Sequence, residues 1–350
     1  MKKCNLEKKP RWASLAVSTV LAVLGLIIVY CVVPKLTSAY MITVVNGALI
    51  YYIANIGSAL MLGQCGLVSF AAVAFMGIGG YSSALLSLRL GVNPFAAMLL
   101  SAMLSMLAAW LLGMPLMRLN GTFFTFSTIA LVQIGYTIFN GWKKVTGGPN
   151  GIAQVPSFRL FGWQASSYYE NYYVLATLCI LAALVAVRLK KTNFGRAMSS
   201  VRDNAMAARC LGVNVYQTKV ASFVVAAGFS GLAGSALVHN SHYVVSTYFT
   251  FDIATTNIIQ MMVGGVYNVF GVFLGTILIT MLPEWLRPLQ EYIRLVYGVG
   301  VILLMIFMPM GLWGTIQVLY KALKQRLHIP ERITVVGKDA NTAIKKEENS

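Results

Sequence analysis

Few side chains in this sequence could catalyse a reaction or hold a metal ion. Two of the three histidines, His239 and His242, are three residues apart, a spacing that could seat a metal on one helix. No Cys, Asp or Glu occurs at a matching helical offset, so we expect an interfacial histidine pair without a metal. The five cysteines are scattered without a close pair, which argues against a disulfide framework or a metal cluster. The sequence predicts no catalytic residue.

Motifs for nucleotide hydrolysis and for ion coupling are also missing from the sequence. No G-x-x-x-x-G-K-[ST] phosphate-binding loop occurs. Between residues 11 and 188 the one acidic residue is Glu170, in a predicted loop, and Glu284 and Glu291 flank the last apolar run. Carboxylates inside a membrane commonly mark proton or ion coupling. The sequence therefore predicts that any energy source lies on another polypeptide.

The composition is that of a membrane protein. Of the 350 residues, 58% are hydrophobic and 11% are charged, whereas ordinary soluble domains carry about 25% charged residues. The net charge of +17 does not indicate a nucleic-acid partner, because the basic residues lie at the two ends and in the loops that flank apolar runs. That distribution is typical of the positive-inside pattern of membrane proteins.

Eight or nine apolar runs dominate the chain. A membrane-spanning helix needs about 20 apolar residues, and the candidate runs are 13–33, 41–62, 67–88, 95–117, 121–140, 172–187, 220–240, 256–282 and 295–320. We interpret the first run as a retained helix rather than a cleaved signal peptide. The predicted fold class is an all-α polytopic membrane protein with about eight crossings plus glycine-broken or re-entrant segments.

The Lys and Arg residues predict the orientation of the chain. Residues 1–12 form a cytoplasmic N-terminal tail, 13–320 the transmembrane domain and 321–350 a cytoplasmic C-terminal tail. The long basic loop 188–219 lies on the same side. A single crossing by 256–282 would place the basic C-terminal tail outside, so we predict that this glycine-containing run is broken or re-entrant.

Two glycine-rich segments, 63–80 and 260–275, could line a solute pathway. Irregular backbone at membrane depth occurs only where protein buries it or where it borders a cavity. The candidate pathway residues are Gln64, Gly66, Ser69, Gly79, Gly264 and Gly265. The alternative is that these glycines only permit close helix packing. The sequence leaves both interpretations open.

The basic loop 188–219 points to a soluble partner. It carries seven basic residues and a single acid, Asp203. Residues 193–196 resemble a turn, residues 197–211 are rich in helix formers, and Gly212 is a candidate C-cap, so we predict one surface helix of about four turns. A helix that binds anionic lipid would show a stronger apolar face and several lysines. The composition therefore favours docking onto a protein.

Several segments match one known family in the same order along the chain. They are GRAMSSVRDNAMAARCLGVNVYQTKVASFVVAAGFSGLAG (195–234), GQCGLVSFAAVAFMGIGGYSSALL (63–86), NGTFFTFSTIALVQI (120–134), TGGPNGI (146–152) and QMMVGGVYNVFGVFLGTILITMLPEWLR (260–287). Together they resemble permease subunits of bacterial ABC importers of the branched-chain amino acid class, and most of all the LivM type. The likeness covers about 40 to 320. Asp203 stands where the family commonly has glutamate, which keeps the charge.

The resemblance implies an ABC-importer permease fold and a division of labour among subunits. The permease would pair with a sister permease, two ATP-binding subunits would bind below, and a periplasmic or extracellular solute-binding protein would deliver the solute from above. The residues implied to couple to the ATPase are Gly195, Arg196, Arg202, Asp203, Asn204, Ala207, Ala208, Leu211 and Gly212. ATP and Mg²⁺ would bind the partner ATPase, so this chain would hold no cofactor. It would lie among lipids in the bacterial cytoplasmic (inner) membrane.

The expected function is import of branched-chain amino acids, and other functions remain as alternatives. Related permeases share the scaffold, so urea, short amides or another small polar solute could be the cargo. A different class is an ion-coupled secondary transporter, which would transport alone in response to an ion gradient. A membrane-embedded enzyme would need convergent His, Asp or Glu side chains, which the sequence does not provide.

Overall fold

The computed structural model of the chain describes residues 39–119, 121–160, 163–164, 167–286, 298–299, 302, 311–312 and 314–315. The elements in these ranges are helices apart from one ribbon of two short strands, which confirms the predicted all-α class. Five of the described helices are long and apolar enough to cross a membrane. Run 13–33, most of run 295–320 and the tails 1–12 and 321–350 lie outside the described residues.

The elements follow one another with short connections. The helices are α1 (Ala39–Leu60), α2 (Ala72–Arg89), α3 (Pro94–Leu116), α4 (Gly121–Gly141), α5 (Lys143–Thr146), α6 (Tyr168–Lys191), α7 (Asn193–Asp203), α8 (Ala205–Cys210), α9 (Val215–Ser241), α10 (Phe251–Gly264) and α11 (Val269–Trp285). A π-helical turn extends α1 over Met61–Cys65, and 3₁₀ turns occupy Gly148–Asn150 and Ser246–Phe249. The antiparallel strands are β1 (Arg159–Leu160) and β2 (Trp163–Gln164).

Helix α9 lies at the centre of the bundle and packs against α1, α2 and α3. Small residues make this packing possible. A Cβ atom added at Gly234 would lie 1.9 Å from the carbonyl oxygen of Met76, and one at Gly231 would lie 2.5 Å from the Oγ of Ser105. Lipid is as apolar as the helix surface, so helices in a bilayer gain their association from such close contact rather than from the hydrophobic effect.

The connections between helices lie on two faces of the bundle. On one face, which we call the coupling face, Arg202 of α7 donates a hydrogen bond to the carbonyl oxygen of Gly63 at 2.6 Å. There too, the Tyr216 hydroxyl donates to the carbonyl oxygen of Met114 at 2.8 Å. The structure thus brings together the segments 63–66, 114–118 and 188–219, and the positive-inside pattern assigns 63–66, Arg118 and 188–219 to one side of the membrane.

The opposite face carries the remaining connections. Arg89, after α2, donates to the carbonyl oxygen of Lys144 at 3.3 Å. Residues Ile152 and Val244 form an antiparallel bridge between the loops that precede α6 and α10. The alternation of crossings that the Lys and Arg residues predict also places Arg89 and the loop 141–171 on one side, and these contacts agree with it.

The predicted break in run 256–282 is confirmed. Helix α10 ends at Gly264, and Gly265 has a positive φ of 101°, a backbone region that favours glycine. The next helix begins after Asn268, whose side chain accepts a hydrogen bond from the Phe270 N–H at 3.1 Å. Helices α10 and α11 therefore form a hairpin rather than one spanning helix.

The turn of this hairpin lies at the coupling face. Lys190, at the end of α6, donates to the carbonyl oxygen of Tyr267 at 3.0 Å. The other end of α11 lies near the start of α1, because the Tyr40 hydroxyl donates to Glu284 at 2.8 Å. The hairpin consequently enters from the opposite face and returns to it.

The prediction of one continuous surface helix over 197–211 is wrong. The structure has two helices there, α7 and α8, with Asn204 in an extended conformation between them. The Asn204 side chain accepts hydrogen bonds from the backbone N–H groups of Met206 and Ala207, at 3.0 and 3.1 Å, and so caps a new helix. An asparagine side chain can hydrogen-bond the backbone and so interrupt a helix. The prediction counted helix-forming residues one by one, and such a count does not detect a cap.

The two ends of this region are also defined by caps. Residues 193–196, predicted as a turn, form the first turn of α7, because Thr192 accepts a hydrogen bond from the Gly195 N–H at 3.4 Å. At the other end Gly212 has a φ of +83°, and the N–H of Val213 bonds to the carbonyl oxygen of Ala208 at 3.0 Å. This is a Schellman-type ending, which confirms the predicted capping role of Gly212.

Candidate functional site

Helices α7 and α8, with Asn204 between them, form the segment of the chain that could meet a soluble partner. We call residues 193–212 the coupling segment. A small apolar cluster holds the segment on the coupling face and consists of Cys65, Met198, Val201, Ala208 and Val215. Burial of this cluster fixes which side of each short helix faces the bundle.

The start of α7 is pressed against the end of α6. A Cβ atom at Gly195 would lie 2.5 Å from the carbonyl oxygens of both Leu189 and Lys190. Gly195 is buried, so its contribution lies in this close approach and not in a surface contact. Its neighbour Arg196 is exposed and hydrogen-bonds the carbonyl oxygen of Lys191 and the side chain of Asn193.

Arg202 joins three parts of the protein. Its Nη1 donates to the carbonyl oxygen of Gly63, at the end of α1, at 2.6 Å. Its guanidinium carbon lies 5.3 Å from the centre of the Tyr267 ring, in the hairpin turn. Its Nη2 forms an ion pair with Asp203 at 2.8 Å. The arginine, which the family resemblance implies couples to the ATPase, links the coupling segment to α1 and to the hairpin and keeps 31% of its side chain exposed.

Two predicted pathway residues lie beneath this segment. The Ser199 hydroxyl donates to the Oε1 of Gln64 at 2.8 Å. Gly66 has a φ of +72°, and a Cβ atom there would lie 2.9 Å from the Cγ of Arg202. Gln64 and Gly66 thus contact the coupling segment, at the end of α1, rather than the middle of the bundle.

Helix α8 is the projecting part of the coupling segment. Of its residues only Ala208 is buried, and it faces the permease. Met206 is 70% exposed and Leu211, directly after the helix, is 81% exposed. The predicted contact residues Asp203, Asn204, Ala207 and Gly212 are exposed as well, so Ala208 is the one member of the α8 group that the structure turns inward.

The remaining predicted pathway residues lie at contacts or caps. Cβ atoms at Gly79 and Gly264 would lie 2.3 Å from the carbonyl oxygens of Gly231 and Gly271, respectively. Ser69 accepts a hydrogen bond from the Ala71 N–H at 3.2 Å, just before α2. A Cβ atom at Gly63 would lie 2.5 Å from the carbonyl oxygen of Val266, so the segments that carry Gln64 and Gly265 meet. The contacts of Gly79 and Gly264 agree with the packing alternative. A role in solute passage stays a prediction.

A buried polar cluster between α1 and the hairpin was not predicted. Asn55 donates to Gln260 at 2.7 Å and to Thr276 at 3.1 Å, and Gln260 donates to Thr280 at 3.1 Å. Hydrogen bonds between helices are a common source of association in membranes. The signal available in the sequence was the presence of Asn and Gln within long apolar runs. The cluster fixes the hairpin against α1.

His239, in the last turn of α9, is buried within the protein, a packing that the sequence did not predict. Its two ring nitrogens lie 2.8 Å from the hydroxyl of Ser83 and 2.7 Å from the carbonyl oxygen of Pro156. Both ring nitrogens of His239 therefore have partners within the fold. The Ser235 hydroxyl donates to that of Ser83 at 2.6 Å. Among the described residues, no group of three or more His, Cys, Asp or Glu side chains could hold a metal ion.

Comparison with known proteins gives consistent matches. The model of the family described as "Branched-chain amino acid transport system / permease component" matches residues 40–308. The high-affinity branched-chain amino acid transport system permease protein LivM of Salmonella typhimurium is 28% identical over 83% of this chain and 74% of its own length. The corresponding LivM of Escherichia coli is 28% identical over 80% of this chain and 71% of its own length.

Two further permeases match the chain with lower identity or over a shorter stretch. A probable branched-chain amino acid transport permease protein LivH of Methanocaldococcus jannaschii is 22% identical over 81% of this chain and 95% of its own length. An autoinducer 2 import system permease protein, LsrC of Salmonella typhi, is 29% identical over 37% of this chain and 33% of its own length. No solved structure matches the chain.

Proposed function

The chain belongs to the family of branched-chain amino acid transport permeases, and on that premise we propose that it is the membrane subunit of an ATP-driven importer for these amino acids. In this proposal a separate ATPase subunit binds the coupling segment and hydrolyses ATP. The chain itself is a non-catalytic transport subunit. One observation carries the proposal. The coupling segment is attached to the permease through Arg202 and exposes α8 to solvent.

The exposed part of the coupling segment suits a cleft on a partner. Met206 and Leu211 present two long apolar side chains to solvent at the end of a basic loop, where a lone surface helix would expose polar groups. Burying such a side chain in a partner gains about 1.5–3 kcal/mol. Arg209 is exposed beside them and can pair with acidic or carbonyl groups of the partner.

The anchored part can pass a movement of the partner into the membrane domain. A hydrogen bond from a charged donor is worth about 1.5–3 kcal/mol, and an exposed cation–π contact about 0.5–1 kcal/mol. Arg202 makes one of each, to Gly63 and to Tyr267. These energies match the few kcal/mol that commonly separate two conformations of a protein. A displaced α7 would thus pull on the end of α1 and on the hairpin turn.

The proposed assembly follows the family resemblance. This permease pairs with a sister permease, in agreement with the similarity to both LivM and LivH proteins. Two ATP-binding subunits carry ATP and Mg²⁺, and a periplasmic or extracellular binding protein delivers the solute. The complex lies in the bacterial inner membrane, with both termini and the coupling segment in the cytoplasm, as the Lys and Arg distribution predicts.

A second candidate cargo is another small polar solute, such as urea or a short amide. The partial similarity to the autoinducer 2 import permease LsrC favours this alternative, because that relative is named for a solute other than an amino acid. The alternative keeps the same subunits and the same coupling, and it changes only the solute.

Uptake by the reconstituted complex tests both the function and the cargo. The permease, its sister, the ATPase subunits and the binding protein are placed in liposomes, and entry of labelled leucine is measured. We expect uptake to require ATP on the ATPase side and to be reduced by excess isoleucine or valine but not by urea. Competition by urea and not by these amino acids would favour the alternative cargo. Uptake by this chain alone, driven by an ion gradient, would contradict the proposal.

A further inference from the structure

The three spans with the least buried surfaces differ in what they expose. On α3 the outward residues are apolar, among them Leu100, Leu104, Leu107 and Leu111, while its serines Ser101 and Ser105 are buried. The outward face of α6 between residues 181 and 187 is likewise Leu and Val, and its exposed Thr177 donates to the carbonyl oxygen of Val174 at 2.7 Å. Such faces are typical of lipid contact. Helix α4 is the least buried of the five described spans. Beside the exposed apolar Phe123, Ile134 and Ile138 it exposes polar side chains, among them the amide of Gln133.

The exposed face of α4 has a helical repeat. Its stripe consists of Thr122, Phe126, Ala130, Gln133 and Thr137, all exposed and spaced three or four residues apart. The Thr137 hydroxyl donates to the backbone carbonyl of Gln133 at 2.8 Å and is thereby satisfied. The side-chain amide of Gln133 makes no hydrogen bond within the described part of the chain. We call these five residues the α4 stripe.

Gln133 lies near the middle of its span. At a rise of 1.5 Å per residue it is about 18 Å from Gly121 and about 12 Å from Gly141. An amide in hydrocarbon without hydrogen-bond partners is strongly disfavoured, because nothing there replaces water. The exposed amide of Gln133 therefore requires water or polar groups beside it.

The other side of α4 is fixed, so the stripe cannot turn inward. Phe124, Thr128, Val132 and Phe139 are buried on that side. The ring of Phe139 lies 4.9 Å from that of Tyr81 on α2. Thr128 accepts a hydrogen bond from the Phe70 N–H at 3.2 Å. These contacts set the rotation of the helix.

We propose that the α4 stripe lines the solute pathway, at the boundary between this permease and its sister. The inference rests on the proposed function and assigns a wall of the pathway to it. The stripe combines an amide and hydroxyl groups with a phenyl ring and a methyl group, and α4 contains no charged residue. This surface suits a small solute of zero net charge that has separate polar and apolar parts, as a zwitterionic amino acid with an aliphatic side chain has.

The coupling segment is connected to α4 by a short route. Arg202 contacts Gly66, and the backbone then passes over residues 66–71 before α2 begins. Within that stretch the carbonyl oxygen of Val68 accepts a hydrogen bond from Thr125 of α4 at 3.2 Å. A shift of α7 thus reaches the pathway helix through hydrogen-bonded backbone, without passing through the interior of the bundle.

Accessibility of introduced cysteines to water tests the assignment in the assembled transporter. Gln133→Cys and Thr137→Cys are compared with Leu107→Cys on α3 and Leu184→Cys on α6, each in a Cys210→Ser background because Cys210 is exposed. A charged methanethiosulfonate reacts with the thiolate form of a cysteine. The thiolate population changes about tenfold for each unit of change in the thiol pKa. We expect the α4 cysteines to react at least about tenfold faster than the controls, and leucine to slow them.

Two results would overturn the assignment. Equal rates at all four positions would place the α4 stripe in lipid. Slow reaction at 133 and 137 together with ready cross-linking to the sister permease would make the stripe a dry interface. ATP-dependent leucine uptake by the parent complex is measured in the same vesicles, so a failure of the proposed function appears as absent uptake, whereas a failure of the pathway assignment appears in the labelling rates.

A conservative series at Gln133 gives an independent readout. Because the residue is exposed, Gln133→Leu and Gln133→Asn should both assemble normally. We expect Leu to raise the KM for leucine uptake about fivefold, through loss of one hydrogen bond, and Asn to restore most of it. An unaltered KM in Gln133→Leu, at normal yield, would contradict a solute contact.

Discussion

The two short helices of the coupling segment differ in what they touch. Helix α7 buries Gly195, Met198 and Val201 and sends Arg202 towards α1 and the hairpin turn. Helix α8 buries only Ala208 and leaves Met206 and its neighbours exposed. These two helices, separated by one asparagine, therefore have different surroundings. Attachment to the permease is therefore concentrated in α7, whereas α8 offers exposed surface.

The largest effect is expected at the link between α7 and the membrane domain. Arg202→Ala removes the hydrogen bond to Gly63 and the contact with Tyr267, together about 2–4 kcal/mol. We expect the assembled complex to keep hydrolysing ATP while leucine uptake per ATP falls at least about tenfold. The measurement is the ratio of uptake to hydrolysis in proteoliposomes.

Arg196→Ala is the matched control, because Arg196 is exposed and its side chain, among the described residues, hydrogen-bonds only Lys191 and Asn193. Its uptake per ATP should remain close to that of the parent. An Arg202→Ala complex with a normal ratio would mean that α7 does not transmit movement through this arginine.

The next effect concerns the close approach of α7 to α6. Gly195→Ala places a methyl group 2.5 Å from two carbonyl oxygens, and such overpacking costs about 1–3 kcal/mol. We expect a lower thermal unfolding midpoint of the purified permease and a lower yield. Gly141→Ala serves as the control, since a Cβ atom there meets nothing within 4 Å. Equal midpoints for the two variants would show that α7 can move away from α6 freely.

A somewhat smaller effect is expected on the projecting helix. Leu211→Asp and Met206→Asp place a charge where we propose that the ATPase binds, at a loss of about 1.5 kcal/mol or about tenfold in Kd. Binding of the ATPase subunit to the detergent-solubilised permease provides the measurement. Leu90→Asp is the control, because Leu90 is 70% exposed but lies at the opposite face. If Leu90→Asp weakened binding as much, the effect would not be specific to α8.

The smallest effect is expected at the joint between the two helices. Asn204→Ala removes the cap of α8, which is worth about 1 kcal/mol. We expect a few-fold weaker binding of the ATPase, with permease stability unchanged, because α7 keeps its buried contacts. Asn204→Asp retains the acceptor oxygen and should bind normally. A loss of permease stability in Asn204→Ala would show that the two helices are not independent.

The glycines predicted to line the pathway also differ in what they contact. Gly79 and Gly264 stand where another backbone approaches within contact distance, whereas Gly66 and Gly265 have positive φ angles at the ends of helices. A glycine in an apolar run is compatible with packing, with a turn or with a lined cavity, and its identity does not distinguish them. Only the position of the neighbouring helix separates these uses.

By itself the sequence determined the all-α membrane class, the break in run 256–282, the cap at Gly212 and the family. These follow from local properties, namely hydropathy over a window, backbone conformation at glycine and the order of motifs. The single helix predicted over 197–211 failed for a local reason too, because Asn204 caps a second helix.

The tertiary structure alone decided which side of each helix meets which neighbour. It joined Arg202 to Gly63, turned Ala208 inward, buried His239, and left Gln133 exposed on α4. The physical reason is that lipid and protein interior are both apolar, so a spanning helix need not carry a polar face that marks its outer side. The direction of a side chain then depends on where the other helices lie, which no window of the sequence contains.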